Sequence, residues 1–109
     1  TWKVPGVFIL VYNKHMKKEK PYLLEFYGKD CPHCERMREM TLELEIEEGL
    51  SFERLETWES VKNDAFMHEL SHGKCDGVPY FYNKKTGKSI CGETTFKKLK
   101  AWAIESVKN

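Results

Sequence analysis

Cys31 and Cys34 stand three residues apart, with Pro32 and His33 between them, just after the apolar run Leu23-Leu24-Glu25-Phe26-Tyr27. Two thiols at that spacing close a small disulfide ring only on a backbone that is already bent, and the first turn of a helix supplies the bend. Pro32 suits that turn, because its fixed φ is helical and its missing N–H is one that a helix start leaves unpaired anyway. A helix beginning there aims the positive end of its dipole and its unpaired N–H groups at the Cys31 sulfur, favouring thiolate over thiol. A cationic His33 adds to the effect. The pattern predicts thiol–disulfide exchange, with Cys31 as nucleophile and Cys34 as resolving thiol. The two sulfurs carry the two electrons, so no organic cofactor and no metal is expected.

The same spacing is half of a zinc site, and Cys75 and Cys91 bring the sulfurs to four, the number a closed site needs. Those two are widely separated and form no second knuckle, so redox chemistry fits better. Cys75 and Cys91 are then expected as small apolar core residues rather than as a second disulfide, because free cysteine is commonly buried. His15, His68 and His72 show no ligand spacing.

Elements must hold this pair in place. At 109 residues the chain is expected to be a single domain, with 1–20 as an N-terminal extension or first helix and 21–109 as the core. The run Val7-Phe8-Ile9-Leu10-Val11-Tyr12 reads as strand or as the start of a helix through Lys18, with helix preferred. After Lys20-Pro21, Tyr22 to Tyr27 is nearly all apolar, as in a central strand covered on both faces. From Pro32 a helix carries Met37, Met40, Leu44 and Ile46 inward, turns Glu35 with Arg38 or Glu39 to water, and ends at Glu48-Gly49. Leu50 to Thr57 reads as a second strand parallel to the first, since a helix joins them. Asn63 or Asp64 caps a short helix with Phe66, Met67 and Leu70 that stops at His72-Gly73. Tyr80-Phe81-Tyr82 and Lys88 to Cys91 form a hairpin across the turn at Asn83-Lys84-Lys85-Thr86-Gly87. Thr94 or Thr95 caps a last helix with Phe96, Leu99, Trp102, Ala103 and Val107 on its apolar side.

Two residues break the local pattern. Glu25 is a carboxylate in a strand expected to be buried, where it could pair with a lysine at an edge or serve, through water, as acceptor for the Cys34 proton. Pro79 follows Gly77-Val78 and opens a strand. A cis bond there would turn the Val78 backbone toward Cys31, where its N–H and C=O could pair with an extended peptide.

Composition narrows the partners. Lys and Arg total 18 against 17 Asp and Glu, a formal charge of +1, which offers no field for nucleic acid or anionic membrane. An apolar fraction of 40% is globular, and no run approaches the length of a membrane helix. A soluble monomer is expected, with compartment unassigned and room for a targeting segment to have been removed.

The order strand, cysteine-bearing helix, strand, helix, hairpin, helix resembles the thioredoxin-like fold, an α/β architecture with a central mixed sheet of four strands, or five if the 7–12 run joins it. Leu24-Glu25-Phe26-Tyr27 ahead of Cys31-Pro32-His33-Cys34 resembles the DsbA-type oxidases, which share the Cys-Pro-His-Cys tetrad and an acidic residue in that strand. Gly77-Val78-Pro79 resembles the family's cis-proline loop, and Ile90-Cys91-Gly92 the strand end and glycine beside its active site. The resemblance implies a protein-disulfide oxidoreductase with catalytic Cys31, Cys34, Glu25, His33 and Pro32, and substrate contacts at Val78, Pro79 and Gly92. Its partners would be protein or peptide thiols and disulfides plus a redox partner. Two departures stand out: no inserted helical domain separates the second strand from Pro79, and Asp30 stands where thioredoxins have Trp. The alternatives from other classes are a redox-inactive peptide-binding module on the same fold and a small zinc-binding domain.

Overall fold

The computed structural model describes residues 21–105. The expected helix over the 7–12 run and the final Val107 lie outside them. Seven elements follow in order: β1 (Leu23–Tyr27), α1 (Pro32–Glu48), β2 (Phe52–Glu56), α2 (Val61–Ser71), β3 (Tyr80–Asn83), β4 (Ser89–Cys91) and α3 (Phe96–Ile104). The strands form one mixed sheet in the order β2-β1-β3-β4. β1 runs parallel to β2 and antiparallel to β3, and β3 and β4 make the expected hairpin.

Alternation along β1 divides the core between two faces. Leu23 joins Met37, Leu44, Phe52, Phe81, Leu99 and Trp102 on the side of α1 and α3, while Leu24 and Phe26 join Met67, Cys75 and Tyr80 on the side of α2. Glu25 shares the pleat direction of Leu23 and therefore faces α1. Covered on both sides, β1 has no water-facing side chain to lose, which is why its sequence is almost continuously apolar.

α1 is 17 residues long and buries Cys34, Met37, Thr41 and Leu44, a stripe of alternating three- and four-residue steps. Ile46 does not belong to that stripe and is 84% exposed, contrary to expectation. Two residues past Leu44 is more than half a helical turn, which carries it to the solvent side. The helix ends at Gly49, whose φ of 66° is the left-handed cap that glycine adopts at little cost.

α2 starts earlier than its sequence suggests. Ser60, not Asn63 or Asp64, is the cap, and its hydroxyl accepts the Asn63 N–H at 3.1 Å. The Asn63 amide instead donates to the Glu56 carbonyl and ties α2 to the end of β2. Thr95 caps α3 as expected. Buried Asn83 organises the hairpin tip: its side-chain oxygen accepts from the N–H groups of Lys85 and Thr86, and its amide donates to the Trp102 carbonyl. Trp102 returns a bond from Nε1 to the Lys88 carbonyl, so α3 is pinned to the hairpin at two points. Among the described residues no helix is long and apolar enough to cross a membrane.

Candidate functional site

β1, β3 and β4 bring their site residues to one end of the sheet. The register sets Phe26 beside Tyr80 and Tyr80 beside Cys91. The chain leaving β1 toward Cys31, Pro79 just before β3, and Gly92 just after β4 therefore sit at a common edge. The Gly92 N–H donates to the Pro79 carbonyl at 2.8 Å, closing β4 onto the proline, and the Val78–Pro79 bond is cis.

Cys31 is the N-cap of α1 and Pro32 its first helical residue. The backbone turns into the helix through a bond from the Cys31 N–H to the Gly28 carbonyl. Trp58 lies across Gly28 so closely that a Cβ there would collide with the indole, and this close approach is the local reason for glycine. The Cys31 sulfur accepts the Cys34 N–H at 3.2 Å, and that bond together with the positive end of the helix stabilises negative charge on sulfur. Both thiols are free and 3% exposed.

Cys34 is the opposite case. Burial, above all, pushes its thiol up to about 12; a hydrogen bond to Cys31 adds to this, as do the charges of Cys31 and Glu25, while the Gly28 backbone acts in the other direction. The Cys34 thiol thus holds its proton. A groove of about 260 Å³, lined by Tyr27, Gly28, Lys29, Cys34, Glu35 and Arg38, reaches the Cys34 side.

Glu25 is fully buried and accepts three side-chain hydrogen bonds from the described residues. Thr41 Oγ1 and Arg54 Nε donate to Oε1 at 2.8 and 2.9 Å, and Arg38 Nε donates to Oε2 at 3.2 Å. Neither arginine was legible as a partner. Arg38 does not turn to water as its helical position suggests, but folds back over β1 and stacks on the Tyr27 ring at 4.7 Å. Thr41 had one signal, a hydroxyl in the buried stripe between Met37 and Leu44. Arg54 also reaches Glu45, joining α1, β1 and β2 in one charged network.

His33 is exposed, and its Nδ1 lies 2.9 Å from Glu93 Oε1 and 2.7 Å from Arg36 Nη2. Nδ1 donates to the carboxylate when protonated and accepts from the guanidinium when bare, so the two contacts belong to different protonation states. Arg36 also binds Glu93 directly, and Arg36 first, then His33, holds the Glu93 carboxyl below the usual range. Nothing in the sequence marked Glu93, which stands next to Gly92 and couples the end of β4 to the first turn of α1.

Cys75 and Cys91 form a disulfide, contrary to the expectation of two free core thiols. Cys75 is indeed core, but Cys91 is exposed on β4 across from Tyr80, within bonding reach of the connection that leaves α2. The bridge also uses two of the four sulfurs that a zinc site would require, leaving that alternative without its donor set.

No protein-family profile matches the chain, and no curated protein matches it. Among solved structures it is similar to a glutaredoxin from Archaeoglobus fulgidus, at 22% identity and a TM-score of 0.54 over 84% of this chain and 91% of that one. It is also similar to wheat glutaredoxin, at 20% identity and a TM-score of 0.54 over 80% of this chain and 82% of the other. With the order β2-β1-β3-β4 and the cysteine pair where α1 begins, these likenesses identify an α/β thioredoxin-like fold, a mixed four-stranded sheet with three helices among the described residues.

Proposed function

We propose that the protein is a thiol–disulfide oxidoreductase acting on protein or peptide substrates through Cys31 and Cys34. The observation that carries this is the unequal environment of two equally buried thiols: one sulfur receives an N–H at a helix start, and the other is pushed up to about 12. The Cys31 thiolate attacks a substrate disulfide, forming one S–S bond and expelling the substrate's other sulfur as thiolate. That step removes the charge from Cys31 and with it two of the influences that keep the Cys34 proton on. Cys34 then loses its proton, attacks the Cys31 sulfur and releases the reduced substrate. Run backwards, the oxidised pair accepts electrons from a substrate dithiol.

Glu25 is the proposed acceptor of the Cys34 proton, through water in the adjoining groove. Among the described residues its Oε2 takes one hydrogen bond, which leaves a lone pair for water, and Arg38 both lines the groove and holds that oxygen. Glu25→Gln then slows resolution while alkylation of Cys31 proceeds at the parent rate; equal resolution rates would remove the role. His33, beside Glu93, favours the reduced state whenever it carries a proton, and Pro32 fixes the turn. Val78, Pro79 and Gly92 would receive an extended peptide as an added strand, the main chain supplying affinity. The Cys-Pro-His-Cys tetrad favours an oxidase of the DsbA type.

The test is the rate of insulin disulfide reduction and of dithiol-peptide oxidation by the purified protein. Both are expected to vanish in Cys31→Ser. A parent protein without either activity, yet still binding extended peptides, would be a peptide-binding module with idle cysteines.

A further inference from the structure

The Cys75–Cys91 bridge opens onto a groove that the exchange site does not use. The cavity is about 250 Å³ and is lined by Cys75 and Cys91 together with His72, Lys74, Tyr80, Tyr82 and Ser89 among others. Its size suits a ligand of few heavy atoms. Among the described residues no Asp or Glu lines it, whereas Lys74 and a protonatable His72 do, so its charge favours an anion.

One atom in this wall is unaccounted for. Tyr80 is 1% exposed, and among the described residues its hydroxyl meets no partner in good hydrogen-bond geometry, Ser89 being near enough only for a weak one, although a buried donor is normally well paired. Burial, above all, raises the phenol above its ordinary range, with Ser89 acting in the other direction, so at neutral pH the hydroxyl keeps its proton and can donate to a ligand. Tyr80 is also the cross-strand neighbour of Cys91, which places the donor beside the sulfur.

The two sulfurs are not equivalent. Cys75 is 2% exposed in the core, and Cys91 is exposed. Of the two, Cys91 is the more accessible to an incoming thiolate, with Cys75 as leaving group.

We propose that this groove is a second thiol-exchange site, which takes a low-molecular-weight thiol bearing a carboxylate. The carboxylate lies against Lys74 and the Tyr80 hydroxyl while the thiolate attacks the Cys91 sulfur. A bond forms between the two, the Cys75–Cys91 bond breaks, and Cys75 departs with the electron pair and takes up a proton. A second molecule of the same thiol resolves the adduct, so two thiols are oxidised to their disulfide and the bridge is reduced to two cysteines. Because Cys75 begins the segment that ends at Pro79, opening the bridge releases one tether of that loop. None of this rests on the chemistry proposed for Cys31 and Cys34.

The experiment uses the full chain with Cys31→Ser and Cys34→Ser, so that only the bridge can react. It is treated with 3-mercaptopropionate, 2-mercaptoethanol or cysteamine at matched thiolate concentration, and adducts are mapped by mass spectrometry. The expected adduct is on Cys91, with the anionic thiol faster than the cationic one by about threefold to fivefold, the worth of one exposed ion pair. Lys74→Gln abolishes that preference, and Tyr80→Phe, which removes only an oxygen, slows the anionic thiol selectively. Equal rates for the three thiols, adducts on Cys75, a bridge that resists all three, or Tyr80→Phe reacting at the parent rate because its hydroxyl merely holds a water, would each overturn the proposal.

Discussion

Glu25 shows how a single buried carboxylate is tolerated at the centre of a sheet. Its three donors come from two arginines and a threonine on α1 and β2, and Arg54 carries the shortest of the charged bonds. Arg54→Ala leaves a buried charge with one arginine, at a cost of about 2 kcal/mol, below the 3–5 kcal/mol for a fully abandoned ion because Arg38 remains and Arg54 is partly exposed. Urea unfolding should show it, and the same change made on a Glu25→Gln background should cost less, since no charge is left behind. Cys34 gives a second expectation, in alkali. Its folded value of about 12 lies above the ordinary 9.0, so the reduced folded state binds more protons than the unfolded state between those values. Its contribution is therefore fully present below about pH 9 and is lost as pH rises toward 12. The urea midpoint of the reduced protein should fall more steeply over that window than that of Cys34→Ala; parallel curves would contradict the assignment. At this scale the sequence marked the cysteines and the anomalous glutamate through residue type alone. It could not mark Arg38, Arg54 or Glu93, because each earns its place by a long-range contact with no local spacing rule behind it.

Elements decide where these residues meet. The start of α1, the cis Val78–Pro79 bond and Gly92 converge because antiparallel pairing of β1, β3 and β4 ends at one edge. The hairpin and the parallel β1–β2 pair were legible, one from its turn residues and the other from the helix that must join parallel strands. The start of α2 was not, because Ser60, Asn63 and Asp64 are all good caps and only the bond from Asn63 to Glu56 shows which of them is occupied elsewhere. The entry to α1 offers the most direct check at this level. Gly28→Ala must expel the indole of Trp58, which is 57% exposed and can swing outward with a loss of about 1 kcal/mol, the usual cost of a single substitution. A red shift in tryptophan emission and altered alkylation kinetics at Cys31 should accompany it, since the Gly28 carbonyl accepts the Cys31 N–H.

For the molecule as a whole, the succession of elements carried the fold, and the likeness to two glutaredoxin structures agrees with it. The disulfide was the feature that spacing could not reveal: two cysteines 16 residues apart fit a core pair as well as a bridge until the strand order sets Cys91 beside the α2–β3 connection. A closed loop of that length is worth about 3 kcal/mol through the unfolded chain, so Cys75→Ala with Cys91→Ala should lower the unfolding free energy by about that amount. The Cys31/Cys34 pair proposed to be redox-active, by contrast, is expected to open and close without unfolding. The most direct measurement is a redox titration of the Cys31/Cys34 couple in thiol–disulfide buffers, followed by alkylation and mass spectrometry. A reversible two-electron transition confined to these two cysteines, with a midpoint between about −270 and −120 mV, the span of thioredoxin-fold redox proteins, is the predicted result. Two thiols that stay reduced across the whole range, or that alkylate as independent groups, would contradict it.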